Sequence, residues 1–135
     1  MLIEIINAVR SAVGPAFPIG VRINSTDQLD GGLTEDDALE AVRLIDQTSV
    51  DLIDVSGGTY FPGAKAGSDS SSDGAYFTEF AARAKKLTTI PVMATGGFKT
   101  YQQTVDAVAS GAVDMVGIAR AMVLGPALAN DWLTG

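Results

Sequence analysis

Apolar positions along this chain alternate between helical spacing and short continuous runs. Leu2, Ile5, Ile6, Val9 and Val13 fall three or four apart and Gly14-Pro15 stops them, which predicts a leading amphipathic helix, Met1 to Val13. Ala38, Ala41, Val42 and Ile45 form a second stripe behind Thr34 and Asp37, which resemble a capping box. Phe77, Phe80, Ala84 and Leu87 mark a third helix. Tyr101 to Ala109 form a fourth, with Thr100 and Gln103 as its capping pair, and a last helix starts near Arg120. Between the helices lie the apolar runs Phe17 to Asn24, Val50 to Val55, Ile90 to Ala94 and Val113 to Ile118. Short, largely apolar strands separated by helices pair in parallel through helical crossovers. The pattern predicts an α/β chain of four parallel βα units behind one helix, with one long polar loop containing Gly57-Gly58 and Ser68 to Gly74.

Two strand-to-helix junctions carry the candidate chemistry. Thr95-Gly96-Gly97-Phe98 follows the third apolar run, and Gly117-Ile118-Ala119-Arg120 closes the fourth. Small residues let a ligand approach the backbone closely, here where a helix begins and its first N–H groups lack partners. One βα repeat separates the junctions, the spacing by which a (β/α)8 barrel builds a phosphate site from the loops after its last two strands. Gly-Gly is also an ordinary turn pair. Arg120 in a first helical turn opposes the helix dipole, which a bound anion explains; the other reading turns it to solvent or pairs it with Asp114.

Composition narrows the chemistry. The 135 residues make one domain, residues 1–135, well short of the roughly 250 of a complete eight-stranded barrel. With no Cys and no His, disulfides, thiolate ligands and the commonest general base are absent from this sequence, and no metal site is expected. A net charge of −7 repels nucleic acid and anionic membranes, so an anion must be captured locally. Glu4, Asn7 and Arg10 interrupt the N-terminal apolar stretch, which has neither the length of a membrane span nor the layout of a signal peptide; a soluble cytoplasmic protein is expected.

Five fragments can be set beside a known family: Phe17-Pro18-Ile19-Gly20-Val21-Arg22-Ile23-Asn24, Gly31-Gly32-Leu33-Thr34, Asp51-Leu52-Ile53-Asp54-Val55-Ser56-Gly57-Gly58-Thr59-Tyr60, Ile90-Pro91-Val92-Met93-Ala94-Thr95-Gly96-Gly97-Phe98 and Val113-Asp114-Met115-Val116-Gly117-Ile118-Ala119-Arg120. In this order and spacing they resemble the Old Yellow Enzyme family of FMN-dependent NAD(P)H oxidoreductases. The resemblance runs over nearly the whole chain and covers what looks like the C-terminal half of that family's TIM barrel, strands five to eight. It implies a (β/α)4 half-barrel that binds FMN and takes hydride from NAD(P)H for an activated alkene. It further implies that Arg22 lies at the pyrimidine end of the flavin, and that Gly96, Gly97, Gly117, Ala119 and Arg120 hold the phosphate. Position 119 is commonly Gly in the family, so the Ala119 methyl is a departure that would crowd the phosphate. The family's substrate-gripping His/Asn or His/His pair and its Tyr proton donor belong to the other half of the barrel, which leaves the catalytic residues of this chain unassigned.

Individual residues keep alternatives. By alternation Arg22 faces away from Val21 and Ile23, either toward a flavin or into an ion pair with Asp54 on the next strand. Tyr60 and Phe61 line a substrate surface or merely pin a loop. Glu35, Asp36 and Asp37 suit a helix N-terminus better than acid–base work, and Trp132 reads as core or interface. Two other functions compete with the flavoprotein: a non-catalytic, self-associating half-barrel with a vestigial anion site, and a barrel enzyme acting on a phosphorylated metabolite. A four-stranded parallel sheet leaves its first and last strands unpaired and exposes the apolar layer that fills a closed barrel, so a homodimer or a partner chain is expected to complete it, with the leading helix over the joint.

Overall fold

A computed structural model of the chain describes residues 1–57 and 75–134. The elements run α1 (Leu2–Val13), β1 (Gly20–Asn24), α2 (Glu35–Asp46), β2 (Leu52–Ser56), α3 (Thr78–Ala84), β3 (Val92–Thr95), α4 (Tyr101–Ala109), β4 (Met115–Gly117), α5 (Arg120–Leu124) and α6 (Leu128–Thr134), and a single 3-10 turn, Lys85–Leu87, extends α3. All neighbouring strands pair in parallel and in chain order, β1-β2-β3-β4. Parallel crossovers are right-handed, so an uninterrupted strand order keeps the connecting helices on one face of the sheet and leaves the other bare among the described residues. This is the arrangement of a barrel wall, with β1 and β4 as its two edges.

The helix-covered face is the core. Ile53, Val55 and Val92 are fully buried and Ala94 is 1% exposed, packed with Val42 and Ile45 of α2 and with Phe80, Ala81 and Ala84 of α3. Helix starts follow their capping residues. The Thr34 hydroxyl accepts from the Asp37 N–H at 3.2 Å while the Asp37 carboxylate accepts from the Thr34 N–H at 3.2 Å, and Thr100 and Gln103 form the same reciprocal pair for α4.

Carboxylates organise the rim at which the strands begin. Asp51 accepts the Ile19 N–H at 2.8 Å and pairs with Arg10 at 2.6 Å, while Asp114 accepts the Val92 N–H at 2.9 Å and pairs with Lys85 at 2.7 Å. Each carboxylate thus splices the start of its own strand to the neighbour. Arg10 does more, donating also to the carbonyls of Gly14 at 3.0 Å, Phe17 at 2.5 Å and Ser49 at 2.5 Å, which fastens α1 to the sheet.

Several expectations change. The strands are shorter than their apolar runs: β1 starts at Gly20, where the first ladder partner is available, and Phe17 is left 61% exposed. The last helix is two short ones, divided at Gly125-Pro126, as proline requires. The bare face is not an apolar layer, for Arg22, Asp54 and Thr95 share it with Leu52, Met93 and Met115. Among the described residues no helix is long and apolar enough to cross a membrane. Residues 58–74 of the long polar loop, Tyr60 and Phe61 among them, lie outside the described residues.

Candidate functional site

The two glycine junctions meet at the opposite rim, where the strands end. Thr95 and Gly117, the last residues of β3 and β4, are direct partners in the ladder. Beyond them opens a cavity of about 590 Å³, lined by residues Thr95 to Lys99 on one side and Gly117 to Ala121 on the other, and closed by Tyr76, Leu124, Gly125 and Leu128. Gly96 and Gly97 adopt φ of 131° and 82°, a region that side-chain-bearing residues rarely enter. At Gly117 a Cβ would run into the Thr95 side chain, whose own Cβ lies 2.9 Å from that position.

The polar equipment of this cavity is backbone N–H and cation. The N–H groups of Gly97, Phe98, Ala119 and Arg120 donate no hydrogen bond among the described residues. Arg120 occupies the first position of α5 with Ala119 as N-cap, and Asp114 is taken by Lys85, so the Arg120–Asp114 pairing does not form. Lys99, which the sequence reading did not single out, lines the same cavity. Neither Lys99 nor Arg120 forms an ion pair among the described residues. The Ala119 methyl also borders the cavity.

The helix after the first junction starts at Tyr101 as its capping pair predicts, and only the expectation that Gly96-Gly97 lie at its first N–H groups is corrected. No helix begins at Gly96-Gly97; α4 starts at Tyr101, and its capping box already takes the Lys99 and Thr100 N–H groups through Gln103 Oε1 at 2.8 and 3.2 Å. An anion there meets loop N–H groups in a left-handed turn rather than a helix terminus.

Arg22 stands on the bare face as alternation requires, and it makes the ion pair. Its Nε donates to Asp54 Oδ2 at 2.6 Å, its Nη2 lies in ion-pair contact with the same oxygen at 2.6 Å, and the other carboxylate oxygen accepts the Thr95 hydroxyl at 2.7 Å. The pair is asymmetric: the Arg22 side chain is 60% exposed and that of Asp54 only 9%. A polar chain therefore runs across β1, β2 and β3 and ends at the cavity wall.

The remaining candidates are structural. Asp37 caps α2, and Glu35 pairs with Arg83 at 2.5 Å. Trp132 tilts against Tyr101 with ring centroids 6.3 Å apart. Among the described residues no group of three or more His, Cys, Asp or Glu side chains is placed to hold a metal ion.

A parallel α/β wall with an open, cation-bearing glycine cavity at its C-terminal rim is the arrangement of a segment of a (β/α)8 barrel. Residues 1–132 match the NADH:flavin oxidoreductase / NADH oxidase family, and the chain belongs to that family. It is 39% identical over 136 residues to the NADH-dependent flavin oxidoreductase iliE of Hypocrea jecorina, covering 94% of this chain and 34% of that protein. It is 29% identical over 133 residues to a metal reductase of Desulforamulus reducens, covering 98% of this chain and 20% of that protein. A solved chain of a 2-naphthoyl-CoA reductase complex superposes with a TM-score of 0.89 at 26% identity, covering 99% of this chain and 20% of its own. Morphinone reductase shares the fold, with a TM-score of 0.67 at 14% identity and 98% of this chain covered against 32% of its own. The chain thus spans 34% or less of the length of the curated relatives it matches.

Proposed function

We propose that this chain is the phosphate-binding half of an FMN-dependent oxidoreductase barrel, equivalent to strands five to eight, acting on a small-molecule acceptor of the activated-alkene class with NADH or NADPH as donor. The observation that carries it is the single cavity uniting Gly96, Gly97, Gly117, Ala119 and Arg120. The residues fit the group. A phosphate monoester needs several donors and a cation, and this cavity offers unpaired N–H groups, the Arg120 guanidinium and the Lys99 ammonium.

When bound, FMN supplies the hydride chemistry, and the chain holds and polarises it. The two junctions anchor the phosphate. Arg22, whose Nη1 has no partner among the described residues, would face the pyrimidine edge and stabilise negative charge there. Tyr60, which follows the second strand on the same rim in sequence, would stand on the substrate side. A nicotinamide donor implies a cytoplasmic setting.

The edges β1 and β4 and the bare face between them require four further strands to close a barrel, from the rest of a longer polypeptide or from a second copy in a homodimer. The same open edges favour a second reading, a self-associating half-barrel that binds an anion without turnover. Titration with FMN, followed by flavin fluorescence, separates the two. Micromolar retention of FMN that weakens in Arg120→Ala supports the flavoprotein. Binding of inorganic phosphate without retention of FMN sinks it in favour of the second reading.

A further inference from the structure

Asp54 is one of three buried polar or charged residues among those described, and the only ionisable one. Both its oxygens are engaged: Oδ2 by the Arg22 Nε–H and in ion-pair contact with Nη2, Oδ1 by the Thr95 hydroxyl. Its backbone lies in the middle of the sheet, in register with Arg22 on β1 and Met93 on β3. A carboxylate so placed restrains the guanidinium through the Nε hydrogen bond and the Nη2 ion-pair contact and leaves Nη1 without a partner among the described residues. It also offsets most of the Arg22 charge at a distance where the mutual attraction is strong, because Asp54 is shielded from water.

We propose that Asp54 is a positioning residue that presents Arg22 as an oriented donor of reduced net charge and thereby holds the potential of the bound flavin below the value an unpaired arginine would give. The inference rests on the flavin reading of Arg22. Flavin gains negative charge on reduction, so a full positive charge at its edge favours the reduced form, and a compensated one favours it less. The Thr95 bond adds a second role. It ties the orientation of Arg22 to the residue that packs against Gly117 at the wall of the phosphate cavity, so one carboxylate couples the two ends of the cofactor site.

The variant of choice is Asp54→Asn, which keeps shape and can still accept from Arg22 while the Thr95 hydroxyl turns to accept from the new amide. Two measurements test it. In the FMN-loaded protein, the reduced-to-oxidised ratio at fixed poise is expected to rise at least tenfold, about 30 mV for a two-electron couple. In the protein without FMN, the Arg22 Nε–H, hydrogen-bonded to the Asp54 carboxylate in the parent, is expected to give a resonance that broadens or vanishes in the variant. Asp54→Glu, which restores the charge, should return the potential toward the parent value, and Arg22→Gln should move it the opposite way from Asp54→Asn.

A parent protein that holds no FMN sinks the flavin reading and this inference together. A parent that holds FMN beside an Asp54→Asn variant of unchanged or lower potential overturns this inference alone. Loss of the Nε–H signal with the potential unmoved also overturns it, because Asp54 then supports the fold without tuning the cofactor.

Discussion

On the helix-covered face of the sheet Ile53, Val55 and Val92 are fully buried, whereas on the bare face the Arg22 side chain is 60% exposed and Met115 is 49% exposed. Within β2 the two kinds of position stand one residue apart, Ile53 and Val55 facing the helices and Asp54 between them facing the other side. The first face holds apolar side chains that need only volume and shape, and the second holds hydrogen-bonded groups whose partners fix their direction. Apolar packing and directed polar contacts are therefore separated by the two-residue period of a strand, so neighbouring positions should respond to substitution in different assays.

The largest expected effect is on the covered face. Ile53→Ala should cost about 2–5 kcal/mol of stability, whereas Met115→Ala should stay within about 0.5 kcal/mol. Urea denaturation midpoints decide this, and equal losses would mean that the bare face is covered in solution. Gly117→Ala comes next, because its methyl meets Thr95; about 1–3 kcal/mol is expected, partly relieved in the double variant with Thr95→Ala. Additive losses would place the strain elsewhere.

Arg120→Ala should leave stability within about 0.5 kcal/mol yet weaken FMN binding by about 1.5–3 kcal/mol. Arg22→Ala and Lys99→Ala should weaken it less, and riboflavin should bind weakly and hardly notice the Arg120 change. An equal or reversed order for Arg120 and Arg22 refutes the phosphate anchor.

The smallest effect is on acid tolerance. The Ile19 N–H and then Arg10 hold the Asp51 carboxyl below the ordinary aspartate value of 3.8, and Lys85 and then the Val92 N–H do the same for Asp114. A carboxyl depressed in the folded state adds stability that is fully present above its unfolded value and is lost as pH falls through the folded one. Denaturation midpoints should hold from pH 7 to about 5 and then drop below the ordinary aspartate value, less steeply in Asp51→Asn. An identical acid limb in that variant would show that the strand-start carboxylates do not set it.

Local signals in the sequence locate the helices well and the long-range clamps poorly. Thr34/Asp37 and Thr100/Gln103 mark α2 and α4 correctly, because a capping box is complete within four residues. The Arg22–Asp54 pair is accessible as an alternative, since it needs only strand adjacency. Strand ends are overextended, because apolar residues such as Ile90 continue past the ladder that hydrogen bonding defines. Lys99 escapes notice because it lies between the Gly96-Gly97 turn and the helix cap at Thr100, where no local pattern turns its side chain toward the cavity. The reach of Arg10 to Ser49 and Asp51 spans 39 and 41 residues, beyond any local pattern.

The Arg10 clamp gives the molecule a gradient of local opening. At the rim where strands start, the Ile19 amide is bonded to Asp51 and the Asp51 amide to the Ile19 carbonyl, both at 2.8 Å, so their exchange with deuterium must wait for a large part of the sheet to open. At the other rim the Gly97 and Arg120 amides have no protein acceptor among the described residues and exchange without any opening. An anion that takes up those amides spends part of its binding energy ordering the loose end, and deuterium uptake there should slow on binding while the clamped end keeps its rate.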